Sequence, residues 1–149
     1  MPVDVVTAVE IAPPPSDVAA YASDPDNTTS WYENIDSVDW ETPRPLARGS
    51  RIAFAARFLG RTLRYTYEIT ELVPGERLVM RTAQGPFPME TTYTWEPSSA
   101  GGTRMTLRNR GEPTGFAKVG APMMARVMAR ASRKDLDRLK RALEPPAPS

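Results

Sequence analysis

The side chains that could do chemistry in this chain are limited by two absences. The sequence contains no His and no Cys. This excludes Ser–His–Asp triads, imidazole acid–base pairs, thiolate nucleophiles and the usual zinc or iron–sulfur ligands. The closest carboxylate groups, Asp36 with Asp39 and Glu41, and Asp135 with Asp137, lack the spacing of a calcium loop. We therefore expect no bound metal and no cofactor.

Tyrosines are the first candidates to contact a ligand. Tyr65, Tyr67 and Tyr93 fall on the apolar face of two segments in which polar and apolar residues alternate. Their hydroxyls could orient a ligand or act as weak acids toward a ligand carbonyl. Alternatively, they are core aromatic residues whose hydroxyls bond to the backbone. Asn109 is the one amide on this face, and a buried amide must bond either to a ligand or within the protein.

Glu71 is the carboxylate with the same parity as the apolar face, at a strand end. In a chain without His it is the best general-base candidate. The alternative is an exposed carboxylate beside the turn at Pro74-Gly75, because charged residues are seldom fully buried. The weak catalytic candidates are thus Tyr67, Glu71 and Asn109, and catalytic residues are otherwise undetermined.

An alternation of period two predicts the strands that carry these residues. Each segment places apolar residues on one side only, which favours an antiparallel sheet with one solvated face. Gly60-Arg61 and Pro74-Gly75 have the composition of tight turns between neighbouring strands. The predicted strands are 3–11, one beginning at Ile35, 50–59, 62–72, 76–83, 89–96 and 103–110.

Helices are predicted in two places. After Pro13-Pro14-Pro15 the spacing of Val18, Tyr21 and Ala22 indicates a short amphipathic helix, and a further helical turn is expected around 29–33. Residues 116–143 repeat apolar side chains every three or four positions, which predicts one long amphipathic helix. Pro122 should kink this helix or mark its true start.

These elements predict one α+β domain over residues 1–144, with a disordered Pro-rich tail at 145–149. The apolar face of a seven-stranded antiparallel sheet must be covered, and the C-terminal helix is the element long enough to cover it. A strongly curved sheet wrapped around one helix leaves a hollow between them. The remaining two short helices lie between strands 1 and 2.

Several motifs occur along the chain in addition to the order of elements. They are Ile11-Ala12-Pro13-Pro14, Val18, Asp24-Pro25, Ser30-Trp31, the strand–turn–strand stretch 67–78, the stretch 101–106, and Leu136, Leu139-Lys140 and Leu143. Together they resemble the START-related superfamily of polyketide cyclases, dehydrases and lipid-transport proteins, often called SRPBCC. The resemblance covers roughly residues 3–144 and implies the helix-grip fold.

We expect the hollow to be a ligand cavity of ~300–1,000 Å³. Its opening should lie near the loop 42–49, the turn 85–88 and Pro122. Several of its residues are Met, which either adapts to a ligand or fills a core. The predicted lining consists of Phe54, Phe58, Leu63, Tyr65, Tyr67, Met80, Tyr93, Met105, Asn109, Met123, Met124 and Val127.

The predicted function is the binding or carriage of a small hydrophobic or amphipathic ligand of lipid, polyketide or aromatic type. The alternative implied by the resemblance is a polyketide cyclase, aromatase or dehydrase that acts by positioning its substrate, with Tyr, Asn or Glu moving protons. The sequence leaves open whether the protein is an enzyme. If it is one, its mechanism uses no metal, His or Cys chemistry.

Charge and hydropathy bear on partners and location. A net charge of +1 predicts no nucleic-acid binding, although the basic face of the last helix could be either solvated or a partner surface. No apolar run approaches the ~18 residues of a spanning helix, so we expect no stable membrane insertion. We expect a cytoplasmic monomer or homodimer, and the abundance of Ala and Arg over Lys suggests a bacterial source.

Overall fold

The computed structural model describes residues 3–58, 60–85, 88–112 and 120–144, except for the side chains of Phe58 and Ala121. Within these ranges the chain forms seven strands and three α-helices, with a 3₁₀ turn at Pro25–Asn27. The strands are β1 (Val3–Ile11), β2 (Ile35–Trp40), β3 (Arg51–Phe58), β4 (Arg61–Val73), β5 (Arg77–Gln84), β6 (Met89–Pro97) and β7 (Thr103–Gly111). The helices are α1 (Pro15–Ala22), α2 (Thr28–Trp31) and α3 (Ala121–Leu143).

All seven strands form one antiparallel sheet with the order β1-β7-β6-β5-β4-β3-β2. Strands β2 to β7 are neighbours in the sequence, while β1 pairs with β7 and lies at an edge. The register between β4 and β5 shifts between Ile69 and Glu71. Such a shift reverses the side on which later residues of the strand point.

The predicted alternation corresponds to burial. Ile52, Ile69 and Leu78 are almost fully buried on the concave side of the sheet. Met105 and Leu107 on β7 are equally enclosed. On the convex side, arginine and carboxylate side chains of neighbouring strands pair, as Arg51 does with Glu68 and Arg108 with Asp4. The antiparallel sheet with one solvated face is therefore confirmed.

Helix α3 starts later than the predicted 116–143. Gly120 is its N-cap, with a φ of 81° that favours glycine and interrupts a helix. Pro122 then lies in the first turn, where its missing N–H costs nothing, so it marks the start rather than a kink. Residues 116–119 and the predicted tail 145–149 lie outside the described residues. The helix packs along β1 and α2, which completes the predicted helix-grip architecture.

Two clusters of apolar residues hold the sheet and the helices together. The larger one joins Trp31 of α2 and the sheet to Leu136 and Leu139 in the C-terminal part of α3. The smaller one joins Met124 and Met128 to β1 and to Leu63 of β4. None of the helices in the described part of the chain is long and apolar enough to cross a membrane.

Candidate functional site

A cavity of about 180 Å³ lies between the concave face of the sheet and α3. It is smaller than the ~300–1,000 Å³ expected for a typical ligand site, because bulky tyrosines project from the sheet into the hollow. The sheet side is formed by residues such as Ile52, Phe54, Ala56, Leu63, Tyr65, Tyr67, Ile69, Leu78, Met80, Thr82, Met89, Thr91, Tyr93 and Asn109. Opposite them lie Ala22, Pro25, Thr28, Tyr32, Leu46, Met128, Ala131, Ser132 and Asp135.

Most of the predicted sheet residues meet at this cavity. Phe54, Leu63, Tyr65, Tyr67, Met80, Tyr93 and Asn109 all line it. Met105 does not, because its side chain is fully enclosed in the larger cluster behind the cavity wall. The side chain of Phe58 lies outside the described residues.

None of the three predicted residues of the helix lines the cavity. Met123 is 50% exposed, Val127 is half-buried outside both clusters, and Met124 belongs to the smaller cluster rather than to the cavity wall. The residues of α3 that reach the cavity are Met128, Ala131, Ser132 and Asp135. Each position along a helix turns by about 100°, because there are 3.6 residues per turn, so Met123 and Val127 lie outside the face that lines the cavity.

Of the segments predicted to surround the opening of the cavity, only part is found there. Leu46 of the 42–49 loop lines it. Pro122 is exposed and does not line it. Residues 86–87 of the 85–88 turn lie outside the described residues.

A chain of hydrogen bonds crosses the cavity wall from β4 to α3. The Tyr67 hydroxyl lies 3.1 Å from Thr91 Oγ1, which lies 2.7 Å from Asn109 Oδ1. Asn109 Nδ2 in turn donates to Ser132 Oγ over 3.4 Å. The single Thr91 hydrogen is donated to Asn109, so Tyr67 must be the donor to Thr91. Burial raises the pKa of Tyr67 to about 12, and this phenol remains protonated at neutral pH.

A second polar group is the tyrosine pair Tyr32 and Tyr93, whose hydroxyl oxygens are 2.7 Å apart. Burial raises the pKa of both phenols well above the ordinary value. The Trp31 ring lies 4.3 Å from the Tyr32 ring and fixes its orientation. Tyr32 escaped the sequence reasoning because it follows α2 and belongs to no alternating segment.

Asp135 is the functional candidate that the sequence reasoning missed. This carboxyl is only 5% exposed, and its Oδ1 accepts a hydrogen bond from Glu33 N–H over 3.0 Å. Burial raises the pKa of Asp135 to about 6, against the opposing effect of the Glu33 N–H. One signal existed in the sequence: Asp135 lies four residues from both Ala131 and Leu139, on the apolar stripe of the helix.

The general-base candidate Glu71 is excluded from the cavity. Its side chain is 43% exposed and forms an ion pair with Arg77, with Oε1 3.0 Å from Nε. The register shift after Ile69 accounts for this position, since it moves Glu71 off the parity of the apolar face. Among the described residues, no group of three or more carboxylates is close enough to hold a metal ion.

Comparison with known proteins agrees with this architecture. The family model described as polyketide cyclase / dehydrase and lipid transport matches residues 2–144. The chain is similar to the solved structure of TTHA0849 from Thermus thermophilus, with 20% identity, a TM-score of 0.80, and coverage of 94% of this chain and 96% of the other. No curated protein matches the sequence.

Two further solved structures share the fold. A START superfamily protein from Mycobacterium smegmatis is 15% identical, with a TM-score of 0.82 and coverage of 94% and 96%. The Zhui aromatase/cyclase from Streptomyces sp. R1128 is 15% identical, with a TM-score of 0.77 and coverage of 97% and 98%. The match of the family model supports a role in ligand binding or cyclisation. This chain belongs to the family of polyketide cyclases, dehydrases and lipid-transport proteins.

Proposed function

We propose that this protein binds or carries a small hydrophobic or amphipathic molecule of lipid, polyketide or aromatic type. The observation that carries the proposal is the cavity between the sheet and α3, whose walls are mainly aliphatic and aromatic. Six of its polar side chains already bond to one another, in the Tyr67–Thr91–Asn109–Ser132 chain and the Tyr32–Tyr93 pair. Such a site favours apolar ligands and uses few polar groups for orientation.

The size of the cavity favours a compact ligand. Its 180 Å³ is below the ~300–1,000 Å³ of typical small-molecule sites. One or two aromatic rings or a short acyl chain match this space, whereas a two-chain phospholipid requires a much larger one. We therefore place aromatic and short polyketide-like molecules ahead of large lipids.

A cavity-filling variant tests the proposal. Ala131 lines the cavity, while Ala142 on the same helix is exposed. We expect Ala131→Leu to weaken binding of naphthalene, a neutral fluorescent probe of two rings, about tenfold or more, because the added side chain occupies ligand space. Ala142→Leu is the matched control and should bind like the wild type. Circular dichroism and melting curves verify that both variants are folded.

Equal affinity of both variants would place the probe outside the cavity and refute the proposed site. Native mass spectrometry of freshly purified protein adds an independent readout, since a co-purifying small molecule should be absent from Ala131→Leu. A ligand that binds the native state also raises its stability by about 2.7 kcal/mol at 100 times its dissociation constant. Thermal-shift screening therefore ranks aromatic, polyketide-like and acyl compounds.

A cyclase or dehydrase activity is the second candidate, and Asp135 favours it. A carboxyl with a pKa of about 6 inside an apolar cavity can take up and release a proton near neutral pH. We expect a β-hydroxy ketone to lose water in the cavity if the protein is a dehydrase, which the absorbance of the resulting enone would reveal. Activity that survives in Asp135→Asn would exclude this carboxyl as the proton-transfer group.

We also propose that the protein acts in the cytoplasm as a monomer or homodimer without a nucleic-acid partner. The net charge of +1 gives little attraction to phosphate backbones. Several arginines on the convex face are paired with carboxylates, as in Arg108 with Asp4 at 2.6 Å and Arg104 with Glu10 at 3.4 Å. Light scattering after size-exclusion chromatography measures the oligomeric state, and salt-resistant submicromolar RNA binding would contradict the proposal.

A further inference from the structure

Two side chains that are charged at neutral pH line the cavity within the described residues, and their settings differ. Arg57 lies at the rim, where its side chain is exposed and its Nε is 3.2 Å from Asp36 Oδ2. Asp135 lies inside, on the face of α3 that meets the sheet. Across the described part of the wall, a ligand in the interior therefore meets an anionic group without a buried cation to balance it.

The carboxyl of Asp135 keeps one oxygen available for a ligand. Oδ1 accepts the Glu33 N–H, and the carboxyl makes no other hydrogen bond among the described residues. In the same part of the chain, the enclosed side-chain atoms without a partner are Trp31 Nε1 and Trp95 Nε1. Asp135 Oδ2 is not one of these enclosed atoms, and Asp135 lines the cavity, so Oδ2 is the carboxyl oxygen left for a ligand there.

The tyrosine pair Tyr32 and Tyr93 offers the complementary donor. One of the two hydroxyl hydrogens is used within the pair, and the other remains free to be donated. Both phenols interact electrostatically with Asp135. A ligand hydroxyl both donates and accepts, so it can satisfy Asp135 Oδ2 and the free phenol hydrogen together.

A carboxylate ligand fits the same groups poorly. It would bring a second negative charge beside Asp135 in an enclosed, largely apolar space. There the effective dielectric constant is far below that of water, and repulsion between like charges is several times stronger. An ionised carboxylate also has no hydrogen to donate to the free oxygen of Asp135.

We propose that Asp135 determines the specificity of the cavity, by selecting neutral ligands that carry a hydroxyl or phenol and rejecting carboxylates such as free fatty-acid anions. This inference rests on the proposed ligand binding and names its substrate class. The ligand hydroxyl donates to Asp135 Oδ2 and accepts from the Tyr32 and Tyr93 pair.

The selectivity depends on pH through Asp135. The groups that face it are Tyr32 and Glu33 after α2, Tyr65 and Tyr67 on β4, Tyr93 on β6, and Lys134 and Arg138 on α3. Burial raises the pKa of all four tyrosines far above neutrality, so they keep their protons. Above a pH of about 6 Asp135 is an anion and repels carboxylates, while below this pH it is neutral and can donate to one.

A matched pair of probes tests the proposal, because 2-naphthol and 2-naphthoate share one apolar body and differ in the polar group. Their affinities are measured by isothermal titration at pH 7.5 and pH 5, where naphthoate stays ionised. We expect the wild type to prefer naphthol at least tenfold at pH 7.5, and this preference to shrink severalfold at pH 5. Asp135→Asn should bind naphthoate better at pH 7.5 and lose the pH dependence. Asp137→Asn, on the same helix but away from the cavity, should behave like the wild type.

The outcomes separate two failures. If both probes bind with similar affinity at both pH values and Asp135→Asn changes neither, the specificity role is overturned while the cavity remains a binding site. If neither probe binds and naphthalene is also excluded, the proposed function fails as well. The pH dependence of the wild type needs no variant, so the test remains valid even if Asp135→Asn folds poorly.

Discussion

The two halves of α3 are attached to the sheet in different ways. In residues 132–143, Leu136 and Leu139 are both 0% exposed and pack in the larger cluster with Trp31. In residues 121–131, Met124 and Met128 make the apolar contacts, within the smaller cluster. Fully buried leucines thus hold one half, and thioether side chains, which are intrinsically flexible, hold the other.

Polar anchors reinforce the C-terminal half. Arg133 Nη1 donates to the Ala8 carbonyl over 3.0 Å, and Lys140 Nζ donates to the Glu10 carbonyl over 2.7 Å. Glu144 Oε2 accepts the Ala12 N–H over 2.8 Å. All three bonds reach the backbone at or just beyond β1, which is an edge strand. The unpaired backbone N–H and C=O groups of an edge strand can otherwise pair with another chain.

The difference shows how one helix can serve stability and binding together. The well-packed C-terminal half fixes the position of α3, while Met128 and Ala131 toward its N-terminal half leave space beside the sheet. Asp135 lies where the two regions meet, on the cavity side of a helix segment that is otherwise tightly packed. The packing of Leu136 and Leu139 beside it therefore fixes where the carboxyl enters the cavity.

The largest predicted effect concerns Leu139. We expect Leu139→Ala to lower the free energy of unfolding by ~2–5 kcal/mol, because it removes a fully buried side chain and leaves a void in the larger cluster. The matched change Met123→Ala, at a half-exposed position of the other half, should alter stability by less than about 0.5 kcal/mol. Urea denaturation followed by circular dichroism measures both values. Similar losses for the two variants would contradict the division of α3.

The sequence predicted the sheet better than it predicted the helix face. Alternation has a period of two, so it assigns each residue to one of two sides, and Tyr65, Tyr67 and Tyr93 were correctly placed inside. On a helix the apolar stripe is broad and leaves the rotation about the axis open by tens of degrees. Met123 and Val127 were therefore assigned to the cavity, which they do not reach.

The remaining errors come from tertiary structure. Glu71 does not lie on the predicted face, because the register of the strand shifts after Ile69. The local sequence pattern does not predict this shift. Asp135 and Tyr32 become cavity residues only when α3 and the segment after α2 close over the sheet. The burial that raises the pKa of Asp135 is likewise a property of the assembled fold and not of its neighbours in the sequence.

The second prediction concerns the junction of the two halves. The pKa of Asp135 rises from 3.8 to about 6 on folding, so the native state holds this proton more tightly than the unfolded state. The contribution of Asp135 to stability therefore falls as the pH rises from about 4 to about 6, and the full penalty, of order 2–3 kcal/mol, persists above that range.

We expect Asp135→Asn to be more stable than the wild type at pH 8 by about 2 kcal/mol, and nearly equal to it at pH 3.5. The amide oxygen can still accept the Glu33 N–H, so the change isolates the buried charge. Urea denaturation at both pH values measures the difference. If Asp135→Asn were destabilised equally at both pH values, the carboxyl would be a structural residue with compensating partners, and its ionisation would not oppose folding.

The smallest predicted effect tests whether polar anchors add to the leucines of the C-terminal half. Glu144 accepts hydrogen bonds from Lys140 Nζ and from the Ala12 N–H, and the bond to Lys140 is the main reason that its pKa is lowered. A lowered pKa means that the carboxylate stabilises the fold above its unfolded pKa of about 4.5, and that this contribution is lost as the pH falls further. We expect Glu144→Ala to lower the free energy of unfolding by about 0.5–1 kcal/mol at pH 7 and by less at pH 3.

Glu144→Gln keeps an acceptor for the Ala12 N–H, so it should lower the free energy of unfolding less than Glu144→Ala. Hydrogen exchange at the Ala12 amide reports the same contact locally: unchanged protection in Glu144→Ala would mean that the leucines alone hold α3 against β1.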